Sequence, residues 1–153
     1  FKPGIRWFLK AYGAFALNAE KEGNDIEAML WMRKLLKQDK SVVIFPESTR
    51  NPYIGMQQAV PGVAFLASKP QTPILPVGIT GTERLGPLWR IVFPSGDLRV
   101  HIGKPFTLPD AGNKYTHEQL KEMMNTVMGH IADLIPKNYH GVYKPSTPSP
   151  ELY

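Results

Sequence analysis

The residues best suited to chemistry lie in one short polar segment that follows a run of β-branched residues. Residues 43–51 read Val-Ile-Phe-Pro-Glu-Ser-Thr-Arg-Asn. Arg50 carries a planar guanidinium that matches a phosphate group, and a charge-assisted hydrogen bond of this kind contributes roughly 1.5–3 kcal/mol. Ser48 and Thr49 add hydroxyl donors, and Glu47 can orient Arg50 or accept a hydrogen bond from a substrate hydroxyl. The segment predicts a phosphate-binding turn; a surface turn with a local Glu47–Arg50 ion pair is the alternative.

The histidines offer no general base. All four lie beyond residue 100: His101, His117, His130 and His140. His117 and Glu122 have the five-residue spacing of a histidine–carboxylate pair, but a helix places them about 140° apart. We therefore expect His117 to be an exposed residue in the first turn of a helix. His101 alternates within a predicted strand, where the sequence identifies no carboxylate neighbour.

Composition narrows the class of protein. The 153 residues include 18 Lys and Arg against 13 Asp and Glu, and 42% are hydrophobic, which favours one globular core and excludes collagen, coiled coil and disorder. The absence of cysteine excludes thiolate metal sites, disulfides and cysteine nucleophiles, and we expect no metal ion. No apolar run in the 153 residues reaches the roughly 18 residues of a membrane span, and we expect no signal peptide. The basic excess is too small and too scattered for nucleic acid, but it suits a small anion or an anionic membrane surface.

The elements that must position the polar segment alternate between strands and helices. Residues 41–45 predict a buried strand that ends at Pro46. Pro61 opens a helix through about Ser68, and residues 74–79 predict a second buried strand. This alternation favours the α/β class, with a mixed sheet flanked by helices.

Further elements lie on both sides of this region. Residues 24–38 predict a helix with a capping-box-like start, and residues 90–93 and 98–102 predict a hairpin. Thr116 and Gln119 cap a last helix that Pro136 ends. Before these, we expect a short helix over residues 5–12 and a strand over residues 14–17. We assign residues 1–143 to one domain and residues 144–153 to a Pro/Ser-rich tail.

Several blocks of the sequence resemble one known family. Residues 45–50, Phe-Pro-Glu-Ser-Thr-Arg, resemble the Phe-Pro-Glu-Gly-Thr-Arg block of the glycerolipid acyltransferases, the 1-acyl-glycerol-3-phosphate acyltransferases. Residues 13–18 resemble the second block of that family, and residues 74–82 resemble its fourth. Residues 62–67 lie where the family has a helix that starts with glycine, and residues 135–143 resemble the closing segment of some prokaryotic members.

This resemblance implies a glycerol-phosphate acyltransferase-like αβ domain. Its activity would move a fatty acyl group from acyl-CoA or acyl-carrier protein to the hydroxyl of a lysophosphatidic-acid-like acceptor, in phospholipid synthesis and without a further cofactor. The implied partners are the lysophospholipid acceptor, the acyl donor and an anionic membrane surface. The implied location is the cytoplasmic face of the cell membrane, to which the protein would be attached peripherally. The implied acceptor-site residues are Glu47, Ser48, Thr49, Arg50 and Asn18. Sheet core and pocket wall would be formed by Ile74, Leu75, Pro76 and Val77.

The sequence departs from the family at three places. The family takes its general base from a His-x-x-x-x-Asp block before the second block, and these 153 residues contain no such block. Either that segment lies upstream of Phe1, which we expect, or the chain is a non-catalytic lipid- or phosphate-binding member; in both cases the chain alone is expected to be inactive. Ala19 and Val60 stand where the family commonly has basic residues, which leaves Arg50 as the main cationic ligand.

The first helix has a cationic stripe of its own. Lys2, Arg6 and Lys10 recur every four residues beside Trp7 and Phe8. Such a stripe favours docking on anionic lipid headgroups, at about 1 kcal/mol per charge. An ordinary solvated helix face is the alternative.

Overall fold

The computed structural model describes five stretches of the chain: residues 24–48, 54–68, 72–84, 97–110 and 115–143. The chain divides into two compact units, residues 1–43 and residues 44–153. Four predicted elements lie outside the described residues: the helix 5–12, the strand 14–17, the hairpin strand 90–93 and the tail 144–153.

The first unit contains helix α1, Asn24–Leu36, which begins where the sequence predicts. The helix ends through two bonds that satisfy its last carbonyls: the Asp39 N–H donates to the Leu36 carbonyl and the Lys40 N–H to the Leu35 carbonyl, each at 3.1 Å. Asp39 has a φ of 56°, the left-handed conformation that this type of helix end requires and that glycine usually supplies.

The predicted buried strand over residues 41–45 is wrong. This segment pairs with no strand in the described ranges, and Val43 and Phe45 have 84% and 73% of their surface exposed. β-branched residues fit a strand only where a neighbouring strand and a covered face are present. The boundary between the two units also falls inside the segment, after Val43.

The second unit begins its regular structure with helix α2, Gly62–Ser68, directly after Pro61, as predicted. Ala64, Leu66 and Ala67 are buried on it. Two alanines on one face let a partner helix approach closely.

That partner is helix α3, His117–Ala132. The predicted cap is confirmed: the Thr116 hydroxyl accepts from the Gln119 N–H at 3.2 Å, and Gln119 Oε1 accepts from the Thr116 N–H at 2.9 Å. Hydrogen bonds to its own backbone N–H and to the Thr116 hydroxyl lower the pKa of Glu118 below the ordinary value. The helix ends before Pro136, as the sequence predicts.

The core of this unit lies between α2 and α3 and extends to the residues that follow α3. Its buried members are Met56, Ala64, Ala67, Leu108, Met123, Met124, Val127, Met128, Ala132 and Ile135. Two of the predicted apolar positions of α3, Met124 and Val127, are each 2% exposed. Leu120 and Ile131 are partly buried against the cluster.

Two short strands form an antiparallel sheet beside α3. Strand β1, Val77–Thr80, pairs with strand β2, Arg99–Ile102, in the register Val77↔Ile102, Gly78↔His101, Ile79↔Val100 and Thr80↔Arg99. The prediction of a fully buried strand over residues 74–79 is wrong, because only alternate positions are covered. Gly78 lies against Leu134 and Ile135, whereas the opposite face of the strand is open.

The fold is therefore mixed α/β, as predicted, but its described sheet is two-stranded and antiparallel. The first strand of the predicted hairpin, residues 90–93, lies outside the described residues. Its second strand contains β2, which pairs with β1. Two single turns of 3₁₀ helix, Thr82–Arg84 and Lys137–Tyr139, complete the described elements.

Candidate functional site

The polar segment after residue 45 forms a tight turn. The Ser48 N–H donates to the Phe45 carbonyl at 3.1 Å, which places Pro46 at the second position of a four-residue turn, where its fixed φ is favourable. Ser48 has a φ of 50°, a conformation that costs a side-chain-bearing residue about 1–2 kcal/mol. The turn is thus held in a conformation that suits glycine better than serine.

This turn is attached to the segment that precedes α2. Glu47 Oε2 accepts a hydrogen bond from the Gln57 backbone N–H at 2.6 Å, and the Pro46 carbonyl accepts from the Val60 N–H at 3.0 Å. No other partner of the Glu47 carboxylate lies among the residues that the structure describes. One carboxylate oxygen therefore fixes the turn, and the other is available to a ligand.

The same segment is held from its other side by the end of the second unit. The Met56 N–H donates to the Tyr139 carbonyl at 2.9 Å, and the Val142 N–H donates to the Met56 carbonyl at 3.4 Å. The Ala59 N–H donates to the Tyr143 hydroxyl at 2.6 Å. Gly141 has a φ of 56°, and a Cβ there would overlap the Met56 backbone, so glycine is needed for this close approach.

A cavity of about 300 Å³ opens beside this segment. Its walls come from the segment, from α3 and from the residues after it: Gln58, Ala59, Pro61, His117, Lys121, Met124, Asn125, Val142 and Tyr143. Lys121 makes no ion pair with any described residue, and the exposed His117 lies one turn before it. The cavity therefore presents one cation and two side-chain amides above an apolar floor, which suits a small polar or anionic group.

The described histidines have structural or surface positions. His140 is buried, and its Nε2 lies 3.0 Å from the Ile135 carbonyl oxygen. The ring of His130 packs against Phe106 with a centroid separation of 4.0 Å. His117 is exposed, as the sequence predicts. None of the four is hydrogen-bonded to a carboxylate within the described ranges, so no histidine–carboxylate pair is formed there.

Only part of the predicted acceptor site is described. Glu47 and Ser48 lie together in the turn, whereas Thr49, Arg50 and Asn18 lie outside the described residues. Of the predicted wall residues, Pro76 is buried and Ile74, which bridges to Phe106, is half-buried; Leu75 and Val77 are exposed. None of the wall residues lines the cavity next to α3.

Two residues that support the turn escaped sequence reasoning. Gln57 contributes its backbone N–H, and the pattern of side chains in the sequence does not predict such a contact. Tyr143 contributes a hydroxyl from 84 residues further along the chain than Ala59. The resemblance of residues 135–143 to a closing family segment was the signal that pointed to this region.

Two further properties concern metals and membranes. Within the described ranges, no three His, Asp or Glu side chains come together as a metal-binding group. None of the described helices has the length and apolar character needed to cross a bilayer.

Known proteins are similar in sequence to this chain over a range that includes the turn at residues 45–48. A family model described as Acyltransferase matches residues 1–80, more than half of the chain. The chain belongs to the acyltransferase family. In the family block that residues 45–50 resemble, glycine stands at the position of Ser48, and the positive φ of Ser48 gives the physical reason.

Individual acyltransferases match over longer ranges. The crystal structure of the 1-acyl-sn-glycerophosphate (LPA) acyltransferase PlsC from Thermotoga maritima is 26% identical, with a TM-score of 0.54, and the match covers 82% of this chain and 48% of that one. The chloroplastic 1-acyl-sn-glycerol-3-phosphate acyltransferase BAT2 of Brassica napus is 28% identical over 104 residues. Its counterpart LPAT1 of Arabidopsis thaliana is 27% identical over 104 residues. Each plant match covers 67% of this chain, which spans only 30% and 29% of those relatives.

Proposed function

We propose that this chain takes part in the transfer of a fatty acyl group to the hydroxyl of a lysophosphatidic-acid-like acceptor, in phospholipid synthesis. The family match, which includes the sequence block at residues 45–50, carries the proposal. It is supported by the acyltransferase activity for which the two plant relatives and the Thermotoga maritima protein are named. The acyl donor in this proposal is acyl-CoA or acyl-carrier protein. We include in this proposal the specific fold, which is a glycerol-phosphate acyltransferase-like domain with a mixed sheet flanked by helices.

In this proposal the turn binds the phosphate of the acceptor. Glu47 and Pro46 fix the turn to the segment at residues 57–60. Arg50 follows two residues after Ser48 and is the chief phosphate ligand, with a guanidinium fork that pairs with two phosphate oxygens. Thr49, Ser48 and Asn18 add hydrogen bonds.

The chemical step is attack of the acceptor hydroxyl on the thioester carbonyl of the donor. The new ester C–O bond forms, the C–S bond breaks, and the thiol leaves with a proton. A general base that takes the hydroxyl proton is worth roughly 10²–10⁴ in rate. Since no described histidine bonds to a carboxylate, we propose that the 153-residue chain alone binds the acceptor but does not turn over.

The binding part is tested at Arg50. Titration with lysophosphatidic acid should show that Arg50→Ala loses about 2–3 kcal/mol of binding free energy, or a factor of roughly 30–150. Arg50→Lys should recover only part of this, because a point charge does not replace the fork. Lys104→Ala, which removes an exposed cation outside the turn, should bind as the unaltered chain does. Unaltered affinity in Arg50→Ala would remove the acceptor-site assignment.

A non-catalytic lipid- or phosphate-binding member is the second candidate. It is favoured by the lack of a His-x-x-x-x-Asp block in the 153 residues. Thioester cleavage in the presence of lysophosphatidic acid distinguishes chemistry from binding. Turnover comparable to that of an intact acyltransferase would show that this chain has a base of its own, whereas binding without turnover agrees with both candidates. The protein as encoded in its genome, assayed in the same way, then separates them.

Peripheral attachment to the cytoplasmic face of the cell membrane is part of the proposal. Lys2, Arg6 and Lys10 are its predicted contacts with anionic headgroups. Sedimentation with anionic vesicles should fall as salt rises, because screening shortens the reach of these charges, and when all three residues are changed to Glu. The matched variant that changes Lys34, Lys37 and Lys40 to Glu has the same net charge, so equal loss in both would show a net-charge effect only.

A further inference from the structure

The turn at residues 45–48 is held by a short stretch of chain before α2, residues 56–60, which we call the linking segment. Two N–H groups of this segment, those of Gln57 and Val60, donate to the turn at 2.6 and 3.0 Å. Both donors are main-chain groups. The turn therefore takes its position from the path of the linking-segment backbone.

The backbone of the linking segment is also bonded to the closing segment, residues 135–143. The Met56 N–H donates to the Tyr139 carbonyl at 2.9 Å, and the Ala59 N–H donates to the Tyr143 hydroxyl at 2.6 Å. Donors to the turn and donors to the closing segment alternate along the chain, so Ala59 lies between the two residues that hold the turn. A displacement of Ala59 therefore moves the donors on either side of it.

The closing segment has anchors of its own, away from the turn. The Tyr139 hydroxyl donates to Glu83 Oε1, 56 residues earlier in the chain, at 2.7 Å. The ring of the buried His140 is bonded through Nε2 to the Ile135 carbonyl at 3.0 Å, and the Ile135 side chain is part of the core. The closing segment is thus a fixed support to which the linking segment is attached.

Two glycines let the linking and closing segments meet at backbone distance. A Cβ on Gly55 would lie 3.2 Å from the Gly141 Cα, and a Cβ on Gly141 would overlap the Met56 backbone. Both glycines have a positive φ, of 117° and 56°, which this residue adopts without strain. The chain is therefore built for this contact on both sides of it.

The bond at Ala59 depends on the residue type at position 143, because its acceptor is a phenol oxygen. The bonds of Met56 to the closing segment use main-chain atoms, so they do not depend on side-chain identity. A substitution of Tyr143 can therefore change how firmly the turn is held while the rest of the contact remains.

We infer that the closing segment sets the affinity of the turn for its ligand, with Tyr143 as a positioning residue that acts through Ala59. The inference rests on the proposed function, because it takes lysophosphatidic acid as the ligand of the turn. A turn that is fixed before the ligand arrives binds it more tightly than a turn that the ligand must order. Tyr143 has this effect without touching the ligand.

Amide exchange without ligand tests the link between Tyr143 and the turn. In Tyr143→Phe, the Gln57 and Val60 N–H groups should exchange about 3–10-fold faster, because the loss of one hydrogen bond at Ala59 loosens their backbone. Val127→Ala is the matched control: it removes two methyl groups from the core and lowers stability, but local opening at the linking segment should not change. Unchanged exchange in Tyr143→Phe would overturn the inference. Equal acceleration in both variants would also overturn it, because it would show a general loss of stability.

Titration with a short-chain lysophosphatidic acid tests the effect on affinity. We expect Tyr143→Phe to raise the Kd by about 3–10-fold, in line with the loss of one hydrogen bond, while Val127→Ala binds as the unaltered chain does. Arg50→Ala, in the same titration, separates this inference from the proposed function. Full affinity in Tyr143→Phe beside a loss in Arg50→Ala would overturn the role of Tyr143 alone. Full affinity in Arg50→Ala, or no binding by the unaltered chain, would overturn the acceptor turn itself.

Discussion

Glu47 and Gln57 are joined by a hydrogen bond of 2.6 Å in which the side chain of one meets the backbone of the other. Since the donor is a main-chain N–H, the bond does not depend on the side chain at position 57. At position 47 it requires a side chain as long as that of glutamate that carries an acceptor oxygen. The Val60 N–H donates to the Pro46 carbonyl. This bond and the bond between Glu47 and Gln57 together fix both residues of the Pro46–Glu47 dipeptide. Glu47 is therefore a positioning residue for the turn that precedes Arg50.

Replacement of Glu47 by Ala should loosen this turn. We expect the free energy of unfolding to fall by about 1 kcal/mol, because a hydrogen bond to a charged acceptor is lost, and the exposed setting of this bond keeps the cost below that of a buried one. Glu47→Gln retains an acceptor oxygen and should lose less than half of that. Urea denaturation followed by tryptophan fluorescence measures both.

The matched control for Glu47 is Glu122→Ala, which removes an exposed carboxylate from α3 and should change stability by less than about 0.5 kcal/mol. The turn assignment predicts a second effect for Glu47→Ala: lower affinity for lysophosphatidic acid, through a displaced Arg50. A variant that loses stability while it binds the lipid normally would leave Glu47 a purely structural role.

Ser48→Gly should stabilise the protein. The side chain at φ 50° costs about 1–2 kcal/mol, and glycine loses about 0.5–1 kcal/mol through its greater freedom in the unfolded chain. We expect a net gain of roughly 0.5 kcal/mol in the free energy of unfolding. Ser41→Gly, at a residue without a positive φ, is the control and should be destabilising. If both glycine variants are destabilised alike, the strain at Ser48 is not real.

Tyr143→Phe should weaken the attachment of the segment before α2. It leaves the Ala59 N–H without its partner at a partly buried position, at a cost of about 1–2 kcal/mol. The control is Tyr115→Phe, whose hydroxyl donates to Asp110 Oδ1 over a longer 3.3 Å at an exposed position, and we expect a smaller loss. Chemical denaturation compares the two, and amide exchange at Ala59 should speed up only in Tyr143→Phe.

Acid should weaken the start of α3. The folded-state pKa of Glu118 is depressed by hydrogen bonds to its own backbone N–H and to the Thr116 hydroxyl. Its stabilising contribution is therefore complete above the unfolded-state pKa, near 4.5, and is lost as pH falls through the lower folded-state pKa. Glu118→Gln should show a smaller loss of stability than the unaltered chain between pH 5 and pH 3, measured by thermal melting. An unchanged slope over that range in Glu118→Gln would contradict this role.

The sequence predicts the elements whose determinants are local. The reciprocal bonds of Thr116 and Gln119 join residues three apart, and Pro61 acts on the turn that follows it directly. Both helices accordingly begin where predicted. No sequence signal marks the positive φ of Asp39 at the end of α1, because an aspartate is not the usual residue in that conformation.

Non-local pairing is where sequence reasoning fails. Residues 41–45 have strong β propensity, but a strand also needs a partner, and propensity does not say whether one is present. For the candidate site, residue types at positions 47 and 48 predicted a polar turn correctly. The hydrogen bond that attaches the turn to the backbone of Gln57 cannot be predicted from the residue types along the chain. The same holds for the bond between Ala59 and Tyr143.

The methionine-rich core has a consequence for oxidative chemistry. Four of its ten buried members are methionines: Met56, Met123, Met124 and Met128. The chain has no cysteine, so thioethers are its principal targets for peroxide, and sulfoxide formation turns an apolar filler into a polar group. Met124 lines the cavity beside α3, whereas Met128 is 0% exposed and lies outside that lining, so peroxide reaches Met128 only when the packing of the core opens. The rate at which the Met128 sulfur oxidises therefore reports how often the core opens.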